Sequence, residues 1–136
     1  MKSNSTLKPG STIGIIGGGQ LGRMLAIAAR QMGYKTVVLD PDVNCPAGQV
    51  VDKQIVEPYG SRNASLELAR LSDVITYEFE NVDADSVADA SEIVNVYPSP
   101  AVLRTTQHRL REKNVLLKAG ISVAQFREVR SIQELY

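Results

Sequence analysis

The chain has 136 residues, of which 43% are hydrophobic and 22% charged, as in a single globular domain with its own core. Its 15 basic and 15 acidic residues cancel, so no net charge attracts nucleic acid or an anionic membrane surface, and we expect neither as a partner. A mean hydropathy of −0.10 and the lack of an apolar run of about 18 residues predict no membrane span.

The chain opens with a polar stretch that lacks the apolar core of a signal peptide. Residues 1–11 are therefore predicted to be a flexible leader of a cytoplasmic protein. Residues 12–17 follow as a β-branched run of strand length with few polar side chains, which indicates a strand buried on both faces.

Three consecutive glycines end this strand, and Gly17, Gly19 and Gly22 have the G-x-G-x-x-G spacing of dinucleotide-binding folds. Glycines let the backbone approach a ligand closely, and the start of the next helix presents free amides, a combination that favours a phosphate. The spacing alone leaves open a dinucleotide, a mononucleotide, a sugar phosphate or a ligand-free turn. Three glycines in a row cost backbone entropy, which argues against a mere turn.

Residues 20–33 predict an amphipathic helix that is closed by Gly33. Spacings of three and four place its larger apolar residues on one stripe: Leu21, Met24, Leu25, Ala28 and Met32. Such a stripe is typical of the face that a helix packs against a core.

A second strand at 35–40 ends in Asp40, about twenty residues after the glycine loop, where the ribose-binding acid of a nicotinamide dinucleotide site would lie. Asp40 also fits a turn or cap residue before Pro41. The only cysteine, Cys45, lies in the following turn and is predicted to be a semi-buried loop thiol, without a partner for a disulfide or a thiolate metal cluster.

The rest of the chain continues to alternate strands and helices. Strands are predicted at 53–57, 73–79 and 93–98, and helices at 61–72, 83–92 and, as one or two helices, within 99–120. Alternation with short connections indicates an α/β fold with a doubly wound, mainly parallel sheet and helices on both faces. We expect this Rossmann-like domain to span residues 12–120.

The segment YEFENV carries two carboxylates, Glu78 and Glu80, separated by one residue and so directed to the same side of an extended strand. Like charges this close need a cationic or hydroxyl-bearing group, such as a ribose or an amine; solvation beyond the strand end is the alternative. The glycine loop, Asp40 and these carboxylates all fall at carboxyl ends of strands, where doubly wound sheets bind ligands.

The last part of the chain offers little nucleophilic chemistry. The only histidine, His108, is accompanied by no nucleophile motif and is predicted to be a solvated helix residue.

Ser131 and Glu134 form a capping box, which predicts a helix start close to the last residue. We therefore expect 121–136 to be the start of a linker to a further domain.

Five stretches resemble a known family when they are taken together and in order. They are GIIGGGQLGRML, GYKTVVLDPD, DVITYEFENV, PSPAVLRTTQHRLREK and LKAGISVAQF, and the resemblance covers essentially residues 10–136. They are similar to the N-terminal, pre-ATP-grasp domain of the 5-(carboxyamino)imidazole ribonucleotide synthases, ATP-grasp ligases of bacterial and fungal purine biosynthesis.

The resemblance implies a reaction for the whole enzyme. ATP activates bicarbonate as carboxyphosphate, which carboxylates the exocyclic amine of 5-aminoimidazole ribonucleotide and releases ADP and phosphate. ATP and Mg²⁺ would be bound mostly by later domains, so this stretch alone is expected to be inactive, and the whole enzyme is expected to be a homodimer. Such chemistry depends on positioning and on neutralising phosphoryl charge, and it needs no cysteine or histidine nucleophile.

The resemblance also implies site residues. The substrate-binding candidates are Gly18, Gly19, Gln20, Leu21, Glu78, Glu80 and Asn81. The amides of Gly19, Gln20 and Leu21 would face the substrate phosphate, and Glu78 would bind the ribose or imidazole end. As a carboxylate at the rim of the sheet, Glu78 is expected to matter for binding and little for stability.

Arg109 resembles the arginine that reaches the ATP phosphates, although spacing alone favours a surface helix arginine. Two other functions fit parts of the sequence. One is the NAD-binding domain of an oxidoreductase, supported by the glycine spacing and Asp40. The other is a regulatory or interaction domain that keeps the fold without a ligand.

Overall fold

The computed structural model describes residues 6–135. The first five residues of the predicted leader and the last residue of the predicted linker lie outside the described residues. The five strands are β1 (Thr12–Ile16), β2 (Lys35–Leu39), β3 (Lys53–Ile55), β4 (Val74–Tyr77) and β5 (Asn95–Val96). The helices are α1 (Gln20–Gln31), α2 (Arg62–Leu71), α3 (Ala84–Ile93), α4 (Pro100–Thr106) and α5 (Arg109–Lys118).

The strands form one parallel sheet in the order β3-β2-β1-β4-β5. Strand β1 is central: Ile13 is in register with Thr36 of β2 on one side and with Val74 of β4 on the other. The predicted doubly wound parallel sheet is therefore confirmed. The strand order reverses between β1 and β4, so the loops that follow these two strands flank the crevice in which such sheets bind ligands.

Helices cover both faces of the sheet. Ile15 and Val38 pack with Ala26 of α1 on one face. On the other face, neighbouring strand residues such as Ile16 pack with Leu68 of α2 and with α3. Strands β1 and β2 thus send alternate side chains into two apolar layers, which is why their sequences are mainly apolar.

Helix α1 is where the predicted packing is wrong. Its buried residues are the small ones, Gly22, Ala26 and Ala29. The predicted stripe does lie on one side of the helix, but it faces away from the core: Leu21 and Met24 are each 57% exposed and Met32 is 65% exposed. Small side chains bring the helix backbone close to β1 and β2, and no sequence periodicity distinguishes this arrangement from its opposite.

Side-chain caps explain where three helices begin. Ser61, Asp83 and Ser99 immediately precede α2, α3 and α4, and each side chain accepts a hydrogen bond from the backbone N–H three residues later. The predicted helix starts at 61, 83 and 99 fall on these capping residues. The strands, by contrast, end one or two residues earlier than the apolar runs suggest, because the last residues of each run turn into loops.

The C-terminal elements lie at the periphery. Helix α5 has no buried side chain among the described residues, and Ile132–Glu134 forms a short 3-10 turn. The predicted capping box of Ser131 and Glu134 does not form. Glu134 accepts a hydrogen bond from the backbone N–H of Arg130, and the Ser131 side chain makes no capping bond. Every helix between residues 6 and 135 is too short or too polar to cross a lipid bilayer.

Candidate functional site

The glycine loop turns sharply between β1 and α1. Gly17 has a φ of +106°, which only glycine adopts without strain, and its N–H donates to the Leu39 carbonyl over 3.0 Å. A Cβ atom on Gly22 would lie 2.2 Å from the Gly17 carbonyl oxygen. The glycines at both ends of the motif therefore allow the first turn of the helix to pack directly onto the end of the strand.

Asp40 holds the middle of this loop. The residue is 6% exposed, and its Oδ2 accepts from the Gly18 N–H over 2.7 Å and from the Tyr59 hydroxyl over 2.6 Å. Its Oδ1 accepts from the Asp42 N–H over 2.8 Å. Three donors satisfy this buried carboxylate, so it faces the protein interior and not a ribose.

Glu78 occupies the N-terminus of α1. Its Oε2 accepts from the N–H groups of Gly19, over 3.1 Å, and Gly22, over 3.0 Å. A Cβ atom on Gly19 would lie only 2.7 Å from Oε1 of the same carboxylate. The anion that the glycine loop holds in this structure is therefore a side chain of the protein, stabilised by two amides and by the helix dipole.

Two amides of the first turn of α1 remain available. Among the described residues, no acceptor lies within hydrogen-bond distance of the N–H groups of Gln20 and Leu21, and both residues are exposed. The amides of the glycine loop thus fall into two groups. Those of Gly18, Gly19 and Gly22 donate to carboxylates, whereas those of Gln20 and Leu21, which lie between Gly19 and Gly22, have no acceptor among the described residues.

A cavity of about 700 Å³ lies beside Glu78, between the end of β4 and the start of α5. Its lining includes the predicted site residues Glu78, Glu80, Asn81 and Arg109, together with Tyr77, Phe79, Pro98, Thr106, Gln107 and Glu112. The structure therefore brings together the two acids of YEFENV, the amide beside them and the predicted ATP-binding arginine. Because β4 ends at Tyr77, the two acids lie on a bend and not on a continuing strand.

Gln107 fixes the bend that carries Glu80 and Asn81. Its Nε2 donates to the backbone carbonyls of Glu80, over 2.9 Å, and Val82, over 2.7 Å. This residue was not predicted from the sequence, and neither were Tyr59 and Phe79. Gln107 lies in the same TTQHRLREK stretch as Arg109. The motif therefore pointed to this region of the chain, but it did not predict the hydrogen bonds of Gln107.

Arg109 is exposed and pairs with Glu112 over 2.5 Å, one turn further along α5. With the guanidinium paired in this way, the cavity wall holds three acids, Glu78, Glu80 and Glu112, against one base. This side of the cavity suits groups that donate hydrogen bonds, such as hydroxyls and amines, better than a bare phosphate.

Cys45 and His108 do not enter the site chemistry. Cys45 is 2% exposed, more buried than predicted, and burial raises the pKa of its thiol, with the nearby Asp40 and Asp42 carboxylates adding to the effect. A protonated, buried thiol is a packing residue. His108 is exposed, as predicted, but it is not a helix residue: it precedes α5 at the N-cap position.

Metal ions in proteins are held by clusters of ligating side chains. Between residues 6 and 135, no group of three or more His, Cys, Asp or Glu side chains is arranged to hold an ion.

The fold and the site define a class of protein: a parallel α/β domain that presents a ligand cavity at the switch point of its sheet. Residues 10–107 match the family described as the ribonucleotide synthetase preATP-grasp domain, and the chain belongs to this family. The dinucleotide-binding oxidoreductase alternative is not favoured, since the acid on which it depended is buried against Gly18 and Tyr59.

Relatives of known sequence and structure agree with this assignment. The N5-carboxyaminoimidazole ribonucleotide synthase of Brucella melitensis is 54% identical over 125 residues, covering 92% of this chain and 34% of the relative. An N5-carboxyaminoimidazole ribonucleotide synthetase solved with ADP is 47% identical with a TM-score of 0.92, over 98% of this chain and 35% of that one.

A third comparison includes a bound ribonucleotide. The Aspergillus clavatus N5-carboxyaminoimidazole synthase, solved with ADP and 5-aminoimidazole ribonucleotide, is 35% identical with a TM-score of 0.80. The match covers 86% of this chain and 31% of the Aspergillus chain. The present chain thus spans about a third of the length of the relatives it matches.

Proposed function

We propose that the chain is the ribonucleotide-binding N-terminal part of an ATP-dependent ligase. The whole enzyme would carboxylate 5-aminoimidazole ribonucleotide with bicarbonate and release N5-carboxyaminoimidazole ribonucleotide, ADP and phosphate. The observation that carries the proposal is the cavity at the switch point, which collects Glu78, Glu80, Asn81 and Arg109.

The chemistry of the cavity wall suits one end of this substrate. Ribose hydroxyls and the exocyclic amine are hydrogen-bond donors, and Glu78 and Glu80 are acceptors when ionised. Asn81 can both donate and accept. These three residues would orient the ribonucleotide so that its amine meets the activated carboxyl group, which is catalysis by positioning.

The phosphate of the ribonucleotide is assigned to the other side of Glu78. The free amides of Gln20 and Leu21 would face it, since those of Gly18 and Gly19 already hold carboxylates. Gly18 and Gly19 would contribute to the site mainly because they have no side chains. A Cβ atom on Gly18 would lie 2.5 Å from Cys45 Sγ, and one on Gly19 would collide with Glu78.

Arg109 is proposed to contact the ATP phosphates. Its guanidinium would then leave Glu112 and pair with phosphate oxygens instead. Most of the ATP contacts and the Mg²⁺ that accompanies ATP would come from the part of the relatives' length that this chain does not span. The proposal includes residues 12–120 as the domain, 121–136 as the link to an ATP-grasp domain, and a homodimeric, cytoplasmic enzyme. These finer points rest on the family resemblance.

Titration calorimetry of the 136-residue chain with 5-aminoimidazole ribonucleotide and, separately, with NADH tests the proposal. We expect heat of binding with the ribonucleotide and none with NADH. Glu80→Gln should weaken ribonucleotide binding, and Glu92→Gln, on the exposed side of α3, is the matched control. Binding of NADH without ribonucleotide binding would contradict the proposal.

A further inference from the structure

The glycine loop is held from two sides by two carboxylates. On one side Asp40 accepts from the Gly18 N–H, and on the other Glu78 accepts from the Gly19 N–H. These two N–H groups belong to successive peptide planes that share a single Cα, that of Gly18. The direction of the second plane relative to the first is set by the φ and ψ angles of Gly18.

The Asp40 side of the loop is the more buried of the two. Its carboxylate is buried and accepts three hydrogen bonds, two of them on Oδ2. The Gly18 carbonyl also accepts from the Ala47 N–H over 2.8 Å, so both ends of the Gly18 residue are anchored. The Glu78 side is only partly buried and opens onto the cavity.

Tyr59 connects the two sides. Its hydroxyl donates to Asp40 Oδ2 over 2.6 Å, and its ring meets Phe79 edge-on, with centroids 5.3 Å apart. Phe79 follows Glu78 in the chain and lines the cavity, whereas Tyr59 does not. Burial raises the pKa of Tyr59 well above its usual range, with the hydrogen bond to Asp40 adding to the effect, so the phenol remains a donor at any pH at which the enzyme would work.

We propose that Asp40 and Tyr59 are positioning residues of the ribonucleotide site. The buried carboxylate and the phenol set the orientation of the Gly18 peptide, and through it the amides that hold Glu78 at the cavity. Neither residue touches the ligand. The inference takes its ligand from the function proposed above, but its first test needs no ligand.

The test compares two tyrosine variants of the 136-residue chain. Tyr59→Phe removes the hydroxyl and keeps the ring against Phe79. Tyr34→Phe is the matched control, because its hydroxyl donates to the Leu7 carbonyl over 3.1 Å at the opposite, amino-terminal ends of the strands. Amide ¹H–¹⁵N spectra, thermal unfolding and calorimetry with 5-aminoimidazole ribonucleotide are recorded for both.

In Tyr59→Phe we expect the amide signals of Gly19 and Gly22 to move along with that of Gly18. The ribonucleotide affinity should fall about five- to tenfold, the effect of one lost hydrogen bond, with the unfolding midpoint close to that of Tyr34→Phe. Shifts confined to Gly18, or an unchanged ribonucleotide affinity, would overturn the proposal, since the pair would then only satisfy a buried carboxylate. If the wild-type chain binds no ribonucleotide, the proposed function fails, and the glycine signals alone decide the positioning role.

Discussion

The Oε2 atom of Glu78 lies 3.0 Å from the backbone nitrogen of Gly22, inside the first turn of α1. A loop whose glycine spacing is typical of phosphate sites thus binds a carboxylate from the neighbouring strand end. The same amides and the same helix dipole serve either anion. This contact joins the two loops at the switch point of the sheet, so we expect both stability and ligand binding to depend on one side chain.

Glu78→Ala is expected to lower both stability and binding. Removing the carboxylate leaves two amides at the start of α1 without their acceptor, which should cost about 1–2 kcal/mol in the free energy of unfolding. This differs from the expectation, drawn from sequence, of a rim residue whose loss spares the fold. Urea denaturation measures the effect, with the exposed Glu80→Ala as control, which should change stability by less than about 0.5 kcal/mol. Equal stability of the two variants would contradict the role of Glu78 as a cap.

Gly22→Ala should be far more damaging than its small size suggests. The added methyl group would lie 2.2 Å from the Gly17 carbonyl oxygen, and backbone cannot move aside as a flexible side chain can. We expect a loss of about 3 kcal/mol or more in the free energy of unfolding, measured by urea denaturation. Gly60→Ala is the control, because its Cβ would meet nothing nearer than 4.0 Å. A Gly22→Ala protein as stable as Gly60→Ala would show that the loop and helix are not tightly packed there.

The fold was largely predictable from the sequence, because the features that determine it are local. Alternating apolar runs and capping residues such as Ser61 and Asp83 mark the elements, and crossover geometry then dictates a parallel sheet. The direction of the α1 stripe was not predictable, because periodicity identifies two faces without saying which one is buried. Gly22 and Ala26, rather than Leu21 and Met24, pack against the strands.

The position of the candidate site could be predicted from the sequence, but the contacts of its residues could be predicted only in part. Glu78, Glu80 and Asn81 were expected at one edge of the sheet, and one cavity contains them together with Arg109. The partner of each carboxylate depends on distances between loops that are far apart in sequence. The bonds from Glu78 to Gly19 and from Asp40 to Tyr59 span 59 and 19 residues, and no local pattern records them.

The acid stability of the chain should depend in part on Asp83. Hydrogen bonds from the Ser86 backbone N–H and side chain hold the pKa of this carboxyl below its usual value. A group whose pKa is lower in the folded protein stabilises it above the unfolded pKa, and that stabilisation is lost as the pH falls through the folded pKa. Asp83→Ala should therefore cost about 1 kcal/mol near neutral pH, and the difference from wild type should shrink below about pH 4.

Urea denaturation at a series of pH values measures the effect of Asp83→Ala. The control is Asp85→Ala, which removes the same charge from the first turn of α3 but is no capping residue; its partner Arg104 is 45% exposed and contributes little. A stability difference for Asp83→Ala that stays constant from neutral to acid pH would contradict the capping role.

Arg109→Ala should leave the fold intact and weaken nucleotide binding. The Arg109 side chain is 74% exposed and its ion pair with Glu112 joins neighbours on one helix surface, so its loss should change the free energy of unfolding by less than about 0.5 kcal/mol. A guanidinium that neutralises phosphate oxygens contributes more, and we expect ADP, titrated by NMR, to bind the variant about tenfold more weakly. The control is Arg111→Ala, which removes another exposed guanidinium of α5, one that donates to the Arg104 carbonyl. If both variants bind ADP like the wild type, Arg109 is a surface residue of α5, and the proposed contact with ATP is wrong.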